Sequence, residues 1–318
     1  KPRLIETKPS SSPSIVFILI DALRADHLGA YGYQLPTSPH IDELARQGTI
    51  FLNTITASAF TVTSLSSFFT ALYPWEHRVV FVSNLFLARD FDVLAEKLAQ
   101  AGYQTVGMSA TYFHLSDFAL DQGFELFDES CDEHFFFRDA ECLTEKAIKW
   151  LEEEAQPPFF LYLHYVSTHA PYYPPEPFRS LFTQRLEPAK GAVAKGEISR
   201  FSKNRKWYQF PRSPTKKELA WLKALYDGEI RYVDDSIGEI LDKLDEHSLM
   251  DDTLIVITSD HGETFGRPKI LFDHGDVSEP VIRLPLIFYN PVLEDSLKIE
   301  SFVQSIDTVS YTHLRAHE

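Results

Sequence analysis

The chain has 318 residues, with 30 Lys and Arg against 46 Asp and Glu, a formal charge of −16. Such a surface repels a phosphate backbone and excludes a general nucleic-acid binder, and 44% hydrophobic residues exclude a disordered chain. The two cysteines, Cys131 and Cys142, exclude a disulfide framework and a thiolate zinc cluster and leave room for one bridge.

Residues 1–14 are polar, with Pro2, Pro9, Pro13 and a serine run, and read as a linker or N-terminal extension. The chain begins at Lys1 rather than Met, so an upstream signal or anchor is open, and with it export, membrane attachment and the compartment. Residues 15–309 alternate strand-like and helix-like patterns, which predicts one α/β domain with a mostly parallel central sheet sandwiched by helices. Ile15 to Ile20 is a continuous apolar run, as expected of a strand buried on both faces. A helix is predicted over Ile41 to Gln47, and a hydroxyl-rich amphipathic helix within the segment Ala59 to Pro74. Helix Val93 to Ala101, strand Gln104 to Met108, helix Ala140 to Glu153 and strand Phe159 to Tyr165 follow. Residues 187–217 turn basic and read as a surface insertion, with an anion-recruiting lid as the alternative. Helix Lys216 to Leu244 and strands Leu254 to Thr258 and Leu286 to Tyr289 complete the pattern. Residues 310–318 lack apolar periodicity and read as a truncation or artefact tail, whose histidines are given no role. No apolar run approaches the roughly 18–20 residues needed to span a bilayer, and membrane contact stays open.

Asp21 directly follows the first strand, and Asp260-His261-Gly262-Glu263 follow the strand that ends at Thr258. Ligands gather beyond the carboxyl ends of parallel strands, so these groups converge at one edge of the sheet. Carboxylates crowded there repel one another, which makes a bound cation their natural partner. Thr61 lies in a hydroxyl run at a helix start, where backbone N–H groups and the positive dipole end favour an anion. Each feature alone has a plainer reading, since Asp, Ser and Thr commonly cap helices.

In combination these segments resemble the sulfatase family of the alkaline phosphatase superfamily. The resemblance is carried by Ile18-Leu19-Ile20-Asp21, Ser38-Pro39-His40-Ile41-Asp42-Glu43-Leu44-Ala45 and the Thr61 segment that closes on Thr70-Ala71-Leu72-Tyr73-Pro74. It continues through Leu163-His164-Tyr165-Val166-Ser167-Thr168-His169-Ala170-Pro171-Tyr172, Tyr232-Val233-Asp234-Asp235, Ser259-Asp260-His261-Gly262-Glu263, and His274-Gly275 before Ile282-Arg283-Leu284-Pro285-Leu286-Ile287. It implies an alkaline-phosphatase-like fold and a divalent cation held by Asp21, Asp260, His261 and the nucleophile's oxygen. The His261 ligand favours zinc or manganese over calcium. The family's nucleophile is a cysteine-derived formylglycine in Cys-x-Pro-Ser-Arg, ten residues before the Gly of a Thr-Gly pair. Ala71 stands at that Gly, so the nucleophile position falls on Thr61 and the motif's Ser on Ser64. His169 is implied near the leaving group, and His274 beside the charged ester oxygens.

The departures shift the expected chemistry. No cysteine stands near Thr61, Leu65 replaces the motif's Arg, Val62-Thr63 lack its Pro, and Ala22 replaces a second Asp. Ser167 and Thr168 replace the Asp-Pro often seen before the histidine. A hydrated formylglycine has two hydroxyls and can expel its adduct by C–O cleavage, whereas threonine has one. A Thr61 adduct is resolved by a second attack on the central atom, which phosphorus supports well. The expected function is therefore metal-dependent hydrolysis of an anionic ester, phosphoester favoured, through a covalent Thr61 intermediate. Sulfuric ester hydrolysis, transfer to an acceptor alcohol and a non-catalytic binding module are the alternatives. The expected partner is a small-molecule, glycan-linked or lipid-linked anionic ester.

Among other residues, His164 reads as a packed strand-end histidine rather than a second-metal ligand. His77 and Arg78 read as pocket lining or solvated loop, and Tyr112 and His114 as candidates at the sheet edge. Tyr172 and Tyr173 read as a substrate-facing rim or a rigid surface turn, and Glu263 as an orienting group for a metal ligand.

Overall fold

In the computed structural model, successive residues of strand β1 (Ser14–Ile20) point into two different cores. The structure describes residues 12–80, 83–111, 113–131, 139–188, 190, 215–265, 274, 276–290 and 296–308. In chain order the elements continue with α1 (Pro39–Gln47), β2 (Thr49–Ile55), α2 (Thr61–Thr70), α3 (Pro74–His77), α4 (Leu94–Gln100), β3 (Gln104–Ser109) and β4 (Leu126–Asp128). They go on with α5 (Asp139–Glu153), β5 (Phe159–Tyr165), α6 (Phe178–Thr183), α7 (Lys216–Glu246), β6 (Thr253–Thr258), α8 (Glu279–Ile282), β7 (Arg283–Leu284), β8 (Leu286–Tyr289) and β9 (Leu297–Gln304).

The described strands form one nine-stranded sheet in the order β4-β3-β5-β1-β6-β8-β2-β7, with β9 pairing β2. Strands β4, β3, β5, β1 and β6 run parallel, and β8 joins β6 antiparallel. Val16, Ile18 and Ile20 pack into a core shared with α1, α5 and α7, while Ile15, Phe17 and Leu19 pack into one shared with α2 and α4. Helices on both faces explain why β1, β5 and β6 are apolar throughout instead of alternating.

Asp234 on α7 caps helix α1, accepting the N–H groups of His40 at 3.1 Å and Ile41 at 2.9 Å. That cap replaces the one Ser38 does not form, so the start of α1 depends on a residue far along the chain. Burial pushes the Asp234 carboxyl up to about 7. Helix α7 has a capping box of its own, with Thr215 N–H donating to Glu218 at 2.8 Å and Glu218 N–H to Thr215 Oγ1 at 3.2 Å.

Two expectations need correction. Ser14, expected in the linker, begins β1, and its Oγ accepts the N–H of Phe159 at 3.3 Å. Lys216 and Lys217, the last residues of the expected basic insertion, are the first turn of α7. Most of that insertion (189 and 191–214) and the 310–318 tail lie outside the described residues. Strands β2, β4, β7 and β9 were not anticipated; β9 is largely exposed on both faces and lacks the apolar pattern of the central strands. Cys131 and Cys142 form the one bridge the sequence allows, tying the end of the β4 loop to α5. No described helix is long and apolar enough to cross a membrane.

Candidate active site

Strands β1 and β6 are neighbours in register, so Asp21 after one and Asp260 after the other leave the sheet at the same edge. Asp21, Asp260 and His261 are 3%, 0% and 0% exposed. Asp260 Oδ1 accepts the N–H groups of Ala22 at 3.2 Å and His261 at 2.9 Å, whereas its buried Oδ2 has no hydrogen-bond donor among the described residues. His261 Nε2 lies 3.3 Å from that Oδ2 and 3.5 Å from Asp21 Oδ1. Its Nδ1 donates to the Gly262 carbonyl at 2.9 Å, so Nε2 is the ring nitrogen that faces the carboxylates. Ser259 holds the turn, donating to His261 O at 2.6 Å and accepting Leu23 N–H at 3.0 Å. Asp260 O is fixed in turn by Ser64 Oγ at 2.8 Å and Thr56 Oγ1 at 2.7 Å.

Thr61 is the first residue of α2, and its hydroxyl is hydrogen-bonded to His261 Nε2 at 3.3 Å. The first N–H groups of a helix have no intrahelical acceptor, so the hydroxyl stands beside donors and the positive dipole end. The helix is fixed in place by Leu65, Phe68 and Phe69, buried in the second core. Leu65 is therefore a packing residue, in a place where a guanidinium would be buried without solvent. His274 stacks on His261 at 3.9 Å between centroids and meets Phe60 edge-on at 5.8 Å. Burial and the neighbouring His261 and His169 push it well below the ordinary imidazole range. His169 is half-buried, 5.4 Å from His274, and its Nδ1 donates to Ala170 O at 2.8 Å. Burial, then His261, lowers it to about 4.

The other sequence candidates have different fates. His164 is fully buried, 3.4 Å from Ser109 Oγ, and burial lowers it to about 4; it does not join the carboxylate cluster. His77 is buried, bonded to Ser67 Oγ at 2.9 Å and accepting Val79 N–H at 3.1 Å, and Arg78 is exposed. His114 lies 3.6 Å from Glu129, whose carboxylate caps the turn starting at Leu115, and Tyr112 is outside the described residues. Tyr172 forms neither a rim nor a surface turn: it is fully buried and donates to Glu263 Oε2 at 3.1 Å. Tyr173 is exposed enough to take Arg179 over its ring at 4.9 Å. Glu263 holds Tyr172 and the Thr264 N–H (3.1 Å). Thr56, Ser259 and Thr168, which donates to Asp21 O, position the site and carried no role in the sequence; their motif neighbours were the only signal.

The cluster of Asp21, Asp260 and His261 offers ligand atoms within 4.8 Å of one another, and the bare Asp260 Oδ2 together with two carboxylates on one imidazole suits a divalent cation. A second group, His40, Asp234 and Asp235, is already engaged, Asp234 by the α1 cap and Asp235 by Arg231 at 2.6 Å.

An α/β sheet carrying a helix-start hydroxyl against a carboxylate–imidazole cluster defines a hydrolase of anionic esters. The Sulfatase family model matches residues 13–312, and this chain belongs to the sulfatase family, within the alkaline phosphatase superfamily. It is 26% identical to an arylsulfatase of Clostridium perfringens over 88% of this chain and 69% of that protein. It is 25% identical to the multifunctional alkaline phosphatase superfamily protein PehA of Trinickia caryophylli, over 86% of this chain and 67% of that one. The phosphonate monoester hydrolase of Agrobacterium radiobacter has a similar structure, with a TM-score of 0.78 at 22% identity over 96% of this chain and 74% of the other. Family membership makes the chain a hydrolase of sulfuric or phosphoric ester bonds, and sulfatases bind a divalent cation that this cluster is able to hold.

Proposed function

We propose that this chain cleaves a phosphoric ester through a covalent intermediate on Thr61. The observation that carries the reading is the Thr61 hydroxyl at the start of α2, 3.3 Å from His261 Nε2. Both cysteines are joined in a disulfide, so the nucleophile is the single hydroxyl of an unmodified threonine. Asp21, Asp260, His261 and Thr61 would hold the divalent cation, zinc or manganese in preference to calcium because of the imidazole. When bound, that ion supplies Lewis acidity and a lowered hydroxyl pKa. Thr61 releases its hydroxyl proton to solvent as its oxygen attacks the central atom in line, the ester bond to the alcohol breaks, and His169 gives that alkoxide its proton. The N–H groups of the α2 first turn and His274 face the charge that develops on the ester oxygens.

In the substrate-free protein His169 is neutral at pH 7, with Nε2 as its lone-pair nitrogen because Nδ1–H is held by Ala170 O. An anionic ester beside it favours the imidazolium, which arms the ring as an acid for the first half-reaction. In the second half the neutral ring takes a proton from water as that water attacks the adduct. The bond to Thr61 then breaks, and its oxygen takes a proton from solvent, which restores the hydroxyl.

Sulfuric esters are the second reading, favoured by the arylsulfatase among the relatives. The test compares rates on 4-nitrophenyl phosphate, bis(4-nitrophenyl) phosphate and 4-nitrophenyl sulfate, with mass spectrometry of the quenched enzyme. A phosphate ester as best substrate and a phosphoryl adduct on the peptide containing Thr61 are expected. A best rate on the sulfate ester sinks the phosphoester preference, and full activity of Thr61→Ala sinks the covalent route.

A further inference from the structure

His169 lies in the segment that leaves β5, and that segment is pinned at points on either side of it. Before it, Asp21 N–H donates to Tyr165 O at 2.8 Å and Thr168 Oγ1 donates to Asp21 O. After it, Tyr172 reaches across to the loop that carries His261, its hydroxyl donating to Glu263 Oε2 at 3.1 Å. Tyr172 and Glu263 are 0% and 1% exposed. A carboxylate buried that deeply needs donors in place of water, and Tyr172 OH and Thr264 N–H supply them. The surroundings fix the pair further. The Tyr172 ring packs edge-on against Tyr226 at 5.2 Å, and Tyr226 OH donates to Ala22 O and accepts Arg24 N–H, both at 2.8 Å. Arg24 donates from Nη1 to Glu263 O at 3.0 Å. The Asp21 turn, the His169 segment and the His261 loop thus share one buried polar network.

We propose that the Tyr172–Glu263 pair is a positioning device that holds His169 at the leaving-group side of the site. This rests on the reading of His169 as the proton donor. Without the tether the segment keeps its Thr168 pin and its apolar packing, but the imidazole no longer has one fixed position. Proton transfer is sensitive to such displacement, and it matters most when the leaving alkoxide is a poor one.

The experiment measures kcat on phenyl phosphate and 4-nitrophenyl phosphate for Tyr172→Phe, Glu263→Ala, Glu263→Gln and His169→Gln, and for Tyr172→Phe combined with His169→Gln. Bound metal and hydrogen exchange of amides 167–172 are measured alongside. Tyr172→Phe and Glu263→Ala are expected to lose about 10–100-fold on the phenyl ester and less than about three-fold on the nitrophenyl ester. Metal content stays unchanged, and exchange in 167–172 rises. Glu263→Gln keeps one acceptor oxygen for the two donors, Tyr172 OH and Thr264 N–H, and is expected to lose less than Glu263→Ala on the phenyl ester. The combined variant should lose no more on the phenyl ester than His169→Gln alone. Equal losses on both esters by Tyr172→Phe, with His169→Gln still selective for the phenyl ester, overturn the tether alone. A His169→Gln variant that does not discriminate between the esters overturns the proton-donor reading, and the tether with it.

Discussion

Helix α2 carries a buried hydroxyl–histidine pair at each end, and the two are built in opposite senses. At its start Thr61 faces His261 at 3.3 Å, and near its end Ser67 faces His77 at 2.9 Å. His261 Nδ1 donates to the Gly262 carbonyl and turns Nε2 to the threonine; His77 Nδ1 accepts from Val79 N–H, so Nε2–H donates to the serine. At the far end both ring nitrogens of His77 have partners, and burial keeps the ring neutral by lowering it to about 4. At the near end His261 Nε2 points at two carboxylates, one with an oxygen that lacks a donor among the described residues. A hydroxyl beside a histidine is thus a structural clasp or a reactive site according to what surrounds the second nitrogen.

The contrast can be broken most sharply at the hydroxyls. Thr61→Ala is expected to lower kcat on a nitrophenyl ester by at least ~1,000-fold with a melting temperature near wild type. Ser67→Ala should leave kcat within about three-fold; comparable losses from the two would erase the distinction.

Next in size is the carboxylate side. Chelation should abolish turnover and lower the melting temperature by several degrees, with zinc or manganese restoring both. Asp260→Asn should weaken metal binding by ~100-fold or more in a titration and make the melting temperature insensitive to chelator.

Asp234 sharpens the comparison, because it is a buried carboxylate whose oxygens both have donors. Its folded-state carboxyl is raised from 3.8 to about 7, so the native state binds that proton more tightly than the unfolded chain. Its contribution is full below about 4 and is lost as pH rises through 7, by up to about 4 kcal/mol. His77 and His164 act the other way: each is lowered from 6.5 to about 4, so their contribution is present above 6.5 and lost as pH falls. Denaturant unfolding of wild type and Asp234→Asn across pH 4–8 isolates the carboxylate as the difference between the two curves. A pH-independent difference overturns the assignment.

The smallest effect belongs to the far clasp. Ser67→Ala leaves His77 Nε2–H buried without its acceptor and is expected to cost ~1–3 kcal/mol of unfolding free energy with little change in rate.

Much of this architecture is legible in the residue pattern alone. The apolar runs of β1, β5 and β6 and the polar turns after them place Asp21 and Asp260 at one sheet edge, because parallel strands covered on both faces cannot alternate. Strand β9 is not legible in that way, because Leu297–Gln304 is mostly exposed and has no buried face to impose a period. Tyr172 misleads for a related reason: the prolines around it describe a turn, and nothing local records that Glu263 waits across the site.

By itself the sequence determined the central parallel strands, the helix that opens at Thr61 and the identity of the groups that gather at the edge. Local pattern and residue chemistry act within a few residues and are written there. Only the tertiary structure decided which histidine serves Thr61 and which serves Ser67, and that Asp234 caps a helix almost two hundred residues upstream. Those outcomes depend on which donor and acceptor meet once distant segments pack, and burial makes each pairing decisive because water no longer supplies the alternative.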